Sequence, residues 1–485
     1  MQKTRSRRAT RIRLTLTYTL MILSVAVLVG GLYMVIQGYR FNKYEGQIEQ
    51  GGLVQFNSQP GGAAVWLDGK ELAVRTQGKL TLGAGKHTVA YKKTGYLPWE
   101  KQIDVRPGQV LWLDYALLVP ATIKADKLIT LPQLNSAVAT RDSKTLALMQ
   151  QAASPLVSLI NVSGSAPQLS TVTLPASSFT ATASGVANQF QVVAWASDNK
   201  TILIRHSYGE SVEWISADTT NIEAAKNLTS LLGVAATQAV FSPSDSNTLL
   251  LLTTTNEIRK ASLDQKTLSG PLVQQVANFT MYDDNTIVYT TTPDTNGLRK
   301  AAYLTIGASS SRIVAQYTSA ATPLRFVMNK YDGTAYLAVQ HGSNVLVYSG
   351  DISASDAVNP AAFTQVSQFT LNGDIRYIGF STDKHRFIYA QTDTQLGVYD
   401  VDLGQVSNHS FATPVAGPIN WVDKTHFTVQ ESNTLRLYDY DATNGQALFA
   451  GTSAGSTAVL TGDSKYIYAF TSDGSALVRV KLVTD

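Results

Sequence analysis

Cysteine is missing from all 485 residues. Without it no disulfide, iron–sulfur cluster or thiolate zinc site can form, and each domain must be stable through burial alone. Charge is scarce too: Asp, Glu, Lys and Arg make up 15% of the chain, against roughly 25% in ordinary soluble domains. Thr, Ser, Val and Tyr take that share, and these suit pleated, half-buried surfaces. No acid occurs before Glu45, and the six histidines (His87, His206, His341, His385, His409 and His426) include no HxxxH pair. That removes the simplest zinc-ligand spacing. No basic stripe with interleaved aromatics is present, so nucleic acid is not an expected partner.

The acid-free N-terminus instead holds an apolar run, Leu14 to Ile36 (LTLTYTLMILSVAVLVGGLYMVI), with no charged side chain in its 23 residues. At about 1.5 Å per residue such a helix is roughly 35 Å long, enough to cross a hydrocarbon core of about 30 Å. Thr15, Thr17, Thr19 and Ser24 can bond back to carbonyls one turn earlier, so they do not forbid insertion. Lys3, Arg5, Arg7, Arg8, Arg11 and Arg13 precede the run. Basic residues stay on the cytoplasmic side, which predicts a cytoplasmic tail over 1–13, a bilayer-spanning helix over 14–36 and the remaining chain outside the cytoplasm. The competing reading is a cleaved signal peptide cut after Gly31; the run exceeds the about 7–15 residues of a signal h-region. Six of the 39 Lys and Arg precede the span, leaving 33 against 35 Asp and Glu, so the +4 balance belongs to the anchor. Residues 37–52 are polar, with Tyr39, Phe41 and Tyr44, and read as a juxtamembrane linker with an interfacial aromatic collar.

Over residues 53–119, short β-type runs alternate with turn chemistry. AVWL meets Asp68-Gly69-Lys70, KLTL meets Gly83-Ala84-Gly85-Lys86, and EKQIDV meets Arg106-Pro107-Gly108. This rhythm predicts a small β-sandwich. Val65, Leu67, Leu80, Leu82, Val89, Tyr91, Ile103, Val105, Leu111 and Leu113 are its expected core. The segment resembles a PEGA domain through Ser58-Gln59-Pro60-Gly61-Gly62-Ala63, Val65 to Lys70, Leu82 to His87, and Gly95-Tyr96. Ala73 and Gln77 depart from the family pattern, which has Gly and then Thr-Pro; Thr76 keeps its Thr. The resemblance implies an accessory surface module beside a membrane anchor, with no chemistry of its own. GAGKH lacks the first Gly and the Ser/Thr of a phosphate loop and is expected simply to join strands.

Residues 120–485 contain a repeated phrase: an apolar strand, a polar Asp/Ser/Asn turn, a second strand and then a third. Asp142, Asp198, Asp245, Asp284, Asp332, Asp383, Asp423 and Asp463 mark eight copies. Repeats of roughly 40–50 residues with about four strands each are the signature of β-propeller blades. Phe241-Ser242-Pro243-Ser244-Asp245 resembles the repeat of TolB-like and WD40-like propellers. Eight blades are expected, or seven and an irregular unit. The last copy ends at Leu482, while Ile123 to Leu131 precedes the first copy without a local partner; it is predicted to complete the last blade.

Candidate chemistry is sparse. Gly451-Thr452-Ser453-Ala454-Gly455 matches GxSxG, but no helix signal follows, so an inter-blade loop is expected. Asp283-Asp284-Asn285 and the loop from Asp439 to Gly445 could ligand calcium, yet Asp and Asn also simply build turns. Trp195, Trp214 and Trp421 could stack on sugars, or pack between blades. No catalytic, metal-binding or cofactor-binding residue is assigned, and no cofactor is expected. The expected function is a membrane-anchored binding or scaffold protein outside the cytoplasm, whose propeller takes an envelope protein or a surface glycan. The alternatives are an envelope hydrolase or lyase with its site at the channel mouth, and a TolB-like assembly factor.

Overall fold

The computed structural model describes residues 7–36, 39–42, 47–164, 166–183, 185–318, 324–352, 363–415, 417–451 and 457–484. The protein is mainly β and divides into two compact units, Met1–Thr122 and Ile123–Asp485.

The first unit opens with a 30-residue helix, Arg7–Ile36. It begins seven residues before the apolar run, because Arg favours helix and no Gly or Pro interrupts the approach. Lys3 and Arg5 lie outside the described residues; Arg7, Arg8, Arg11 and Arg13 occupy the first two turns. The stretch Ile12–Val35 is long and apolar enough to cross a membrane. Leu16, Ile22 and Val27 point in different directions and are each more than 60% exposed, so no stripe is reserved for a protein core. Thr17 and Thr19 donate to the carbonyls of Arg13 and Thr15 at 2.9 Å, and Ser24 to Met21 at 2.8 Å, which satisfies these hydroxyls within the helix.

The segment read as a plain linker holds a two-stranded ladder instead. Tyr39–Asn42 pairs antiparallel with Gln47–Gln50, Tyr39 opposite Gln50 and Asn42 opposite Gln47. Tyr39, Phe41 and Ile48 are strand formers, which gives the pairing its local reason. Tyr44 lies outside the described residues.

The sandwich follows. One sheet orders Gly78–Leu82, Gly52–Gln59 and Val110–Leu117; the other orders Lys70–Arg75, Ala64–Leu67, Gly85–Lys92 and Trp99–Val105. The first strand pairs in parallel with the last, Leu53 opposite Val110, so the domain's two ends are tied together. Asp68 and Gly69 both take positive φ, 49° and 80°, in the two-residue turn joining the Ala64–Leu67 and Lys70–Arg75 strands. Asp-Gly is favoured there because both central positions are left-handed. Val65, Leu82, Val89, Tyr91, Ile103, Val105 and Leu113 are buried, and Leu67, Leu80 and Leu111 pack partly buried against them. Phe56 and Trp99 add aromatic bulk, Trp99 stacking on Tyr91 at 4.8 Å. Thr76 is buried; its hydroxyl accepts from the Ala63 N–H and the Ser58 hydroxyl, both at 2.8 Å. Gln77 takes φ 73°, a conformation closed to the proline of the family pattern.

In the second unit, eight four-stranded antiparallel sheets occur among the described residues. Numbered in chain order, sheets 1 to 7 occupy residues 136–173, 188–227, 236–268, 276–318, 326–370, 377–410 and 420–449. In each, the four strands follow one another in sequence order. Sheet 8 combines 459–481 with Ala125–Thr130, which pairs antiparallel along Ala476–Lys481. The run ahead of the first copy therefore completes the sheet built by the last, and Arg479 reaches Asp126 across the seam at 3.2 Å. This successive up-and-down order, closed end to end, is a β-propeller.

Its core lies between sheets. Leu146, Leu148 and Ile160 of sheet 1 pack against Tyr468, Phe470 and Leu477 of sheet 8. Comparable clusters join sheets 1 and 2, 2 and 3, 3 and 4, 4 and 5, 5 and 6, and 6 and 7. Second strands such as Thr248–Thr253 and Thr286–Thr291 are buried along nearly their whole length, which explains their unbroken apolar runs.

Candidate functional site

The turns after the inner strands of sheets 1, 2 and 8 are built by short-range capping. Asp142 accepts from the Thr140 hydroxyl and the Lys144 N–H, Asp198 from the N–H groups of Lys200 and Thr201, and Asp463 from Thr461 and Lys465. Partial burial works to raise the pKa of all three, but these donors outweigh it and hold each carboxyl below its ordinary value. In sheet 4 the capping residue is Asp283, which accepts from the Asn285 N–H, and not the marker Asp284. Asp284 instead reaches sheet 3, accepting from the hydroxyls of Ser242 and Ser244 and, at 3.0 Å, from the Ser244 N–H. The Ser-Pro-Ser phrase there is thus one half of an inter-sheet latch.

Side chains on neighbouring inner strands are linked in the same way. Asn135 donates to the Phe190 carbonyl, Gln238 to Phe279, Arg325 to Ile375 and Asn420 to Ala458, at 2.7–3.1 Å. Each bond crosses from one sheet to the next, and together they brace the inner ring.

Where the inner strands end, a cavity of about 580 Å³ is lined by residues of sheets 6, 7, 8, 1 and 2. Inner strands line a propeller's central channel, and this hollow, shared by five sheets at the ends of those strands, is its mouth. Arg141, Asp142, Asp383 and Asp423 bring charge to it, and Trp195 and Trp421 bring aromatic surface. Both indoles serve the packing: Trp195 Nε1 donates to the Val138 carbonyl at 3.1 Å, and Trp421 stacks on Phe387. Trp214 is buried, its Nε1 donating to the Ala236 carbonyl at 2.9 Å. Arg141 is held over the mouth by the Pro243 carbonyl at 3.1 Å.

Asp423 is the mouth carboxylate that pairs with a histidine. Burial pushes its pKa up, but the adjacent His426 and the N–H groups of Thr425 and His426 prevail and keep it below the ordinary carboxylate value. His426 Nδ1 lies 2.8 Å from Asp423, and its Nε2 faces Asp439 at 3.5 Å. The ring is buried, so both nitrogens face carboxylates, the mouth-lining Asp423 and the buried Asp439.

The other histidines are dispersed. His87 bridges Asp68 and the Gly83 carbonyl at the GAGKH turn, which joins strands. His206 is buried against Glu213 and Asn188, His341 stacks on Tyr317, and His385 bonds the Ser381 carbonyl. Half-buried His409 packs on Phe411 and Tyr438, and its burial lowers its pKa. The Asp439 loop closes on itself, with Asn444 Nδ2 donating to Asp439 at 2.9 Å. Among the described residues no group of three His, Asp or Glu is placed to hold a metal ion. Residues 452–455 of the GxSxG match lie outside the described residues.

Residues 52–119 match the family model described as the PEGA domain. That segment is a PEGA domain. The match covers the whole sandwich, from its first strand to its last. No curated protein sequence matches the chain. Solved structures similar to it include the β-propeller domain of Myceliophteria thermophila Cps50 (Swd1), 8% identical, covering 75% of this chain and 100% of that one with a TM-score of 0.41. An oligogalacturonate lyase from Vibrio parahaemolyticus is 8% identical, covers 75% of this chain and 99% of its own, and has a TM-score of 0.42. An oligogalacturonate lyase in complex with manganese is 10% identical, with 73% and 99% covered and a TM-score of 0.42.

Sequence reasoning missed two clusters. One is the buried Glu213 network, whose partners lie 7, 14 and 33 residues away in the chain. The other is a group of arginines, Arg325 and Arg376 just ahead of the inner strands of sheets 5 and 6 and Arg299 at the start of the third strand of sheet 4.

Proposed function

We propose that this is a membrane-anchored extracytoplasmic binding or scaffold protein, with the N-terminus in the cytoplasm and the propeller outside. The helix lies in the bilayer, the PEGA domain is the accessory module beyond it, and the propeller takes a protein or glycan of the cell envelope. The observation that carries the binding role is the channel mouth: five sheets line it, the turns of sheets 1, 7 and 8 are held by their own capping carboxylates, and Thr382 of sheet 6 bonds the Asp423 carbonyl of sheet 7. Such a rigid rim with variable side chains is suited to recognition.

The rival reading is an envelope hydrolase or lyase working at the same mouth. The Asp423–His426–Asp439 arrangement argues for binding over catalysis, because neither imidazole nitrogen addresses the cavity. A general base must reach its proton within hydrogen-bond range. Photocrosslinking on intact cells tests the proposal, with the crosslinker placed at Asp383 on the rim and, as control, at exposed Glu223 on an outer strand. Capture of a defined envelope component from 383 only is expected. Equal capture at both positions, or an envelope-polymer cleavage activity lost in folded Asp423→Asn, would overturn the reading.

A further inference from the structure

The inner strands have a second end. At the starts of the inner strands of sheets 4, 5 and 6 there is a separate cavity of about 400 Å³. Sheet 6 shows that it is distinct from the mouth: Tyr377 and Ile378 line this cavity, while Thr382 and Asp383, beyond the strand's other end, line the mouth. Among the described residues three arginines contribute to its wall, Arg299, Arg325 and Arg376, and no acidic side chain does.

These arginines are unequally satisfied. Arg376 is half exposed at the rim and pairs with Asp393 at 3.2 Å. Arg325 uses its Nε on the Ile375 carbonyl at 3.1 Å, which fixes the guanidinium plane. Arg299 has its Nε buried with no hydrogen-bond partner among the described residues. Asp393 offsets Arg376, but the charges of Arg299 and Arg325, with the unmet buried donor of Arg299, are costly unless something negative sits between them. The guanidinium fork matches a carboxylate or phosphate in geometry as well as sign. Phe279, Tyr289 and Phe326 give the same cavity apolar walls, so the anion can carry an organic body.

We propose that this cavity is an oxyanion site, receiving a carboxylate or phosphate group of an organic ligand between Arg299 and Arg325, with Arg376 guarding the entrance. It lies apart from the mouth, so it stands or falls independently of the role proposed for that mouth.

The test uses the full chain in detergent at constant ionic strength, titrated by calorimetry with inorganic phosphate, glucuronate and, as neutral control, glucose. Saturable binding of phosphate or glucuronate but not glucose is expected, and which of the two binds identifies the source of the oxyanion. Loss of a charged hydrogen bond should weaken binding about tenfold or more in Arg299→Gln and Arg325→Gln, while Lys127→Gln, exposed on the outer strand of sheet 8, leaves it unchanged. Arg376→Gln, at an exposed position, keeps the test open if the inner variants do not fold; it should bind several-fold more weakly. No binding of either anion to the wild type, equal binding of glucose, or unchanged affinity in Arg376→Gln together with either folded inner variant or with inner variants that fail to fold, overturns the proposal.

Discussion

Glu213 should be among the most sensitive residues of the propeller. Its side chain is 2% exposed and its carboxylate accepts from the Thr180 N–H, the Thr180 hydroxyl and Asn227 Nδ2, with His206 Nδ1 2.8 Å away. His206, fully buried, is stacked on Phe190 at 4.0 Å, so the network also ties the connection before sheet 2 to its first two strands. Glu213→Ala leaves these donors facing a void. Removing one partner of a buried charged network costs about 3–5 kcal/mol. An unfolding entropy of about 2.1 cal/mol/K per residue over a unit of about 360 residues converts that to a fall in Tm of roughly 4–7 °C. Burial acts to raise the Glu213 pKa, but His206, Thr180 and Asn227 outweigh it and hold it below its ordinary value near 4.5. A depressed folded pKa contributes stability that is complete above the unfolded value and disappears as pH falls through the folded one. The difference between wild type and Glu213→Ala should therefore be full at neutral pH and shrink in acid. Scanning calorimetry of the detergent-solubilised chain across pH measures both. A variant within about 1 °C of wild type at neutral pH, or a difference that grows in acid, would refute the reasoning.

Closure of the ring can be locked covalently, since the chain supplies no competing thiol. Asp126 and Arg479 are register partners across the seam, at a separation within reach of a disulfide; Asp126→Cys with Arg479→Cys should oxidise to an intramolecular bond on non-reducing gels, and persistent free thiols would count against the pairing. In the PEGA domain, Thr76→Val removes the acceptor of the Ala63 N–H and should cost about 1–3 kcal/mol, read as faster hydrogen exchange at that amide; unchanged exchange would mean the bond does no work. Gly397→Ala would place its Cβ 2.7 Å from the Phe369 ring between sheets 5 and 6, an overpacking worth about 1–3 kcal/mol and visible as a lowered Tm.

Much of the fold was legible because its signals are local. Asp68-Gly69 marks a two-residue turn by its chemistry alone, and the capping Asp recurs in the inner turns of sheets 1, 2, 7 and 8 because it bonds residues two or three positions on. Even the closing strand could be placed, since the last copy ran out of chain and one spare run lay ahead of the first. What escaped depends on distance in the chain. Asp284 looked like a turn residue, but its partners are 40 and 42 residues earlier. Arg299, Arg325 and Arg376 carry no linear pattern, and only the ring brings them to one cavity. The Tyr39–Asn42 strand was hidden by its polar neighbours, in a stretch where interfacial aromatics gave a sufficient reason for Tyr and Phe.

The central claim is that the propeller lies across the membrane from the basic N-terminus, and the cysteine-free chain makes it directly measurable. Lys3→Cys and Asp383→Cys, made singly, would each carry the protein's sole thiol, to be probed with a membrane-impermeant maleimide on intact spheroplasts and after lysis. The account predicts that position 383 is labelled on intact spheroplasts and position 3 only after lysis. Labelling of position 3 from outside, with position 383 protected until lysis, would contradict it.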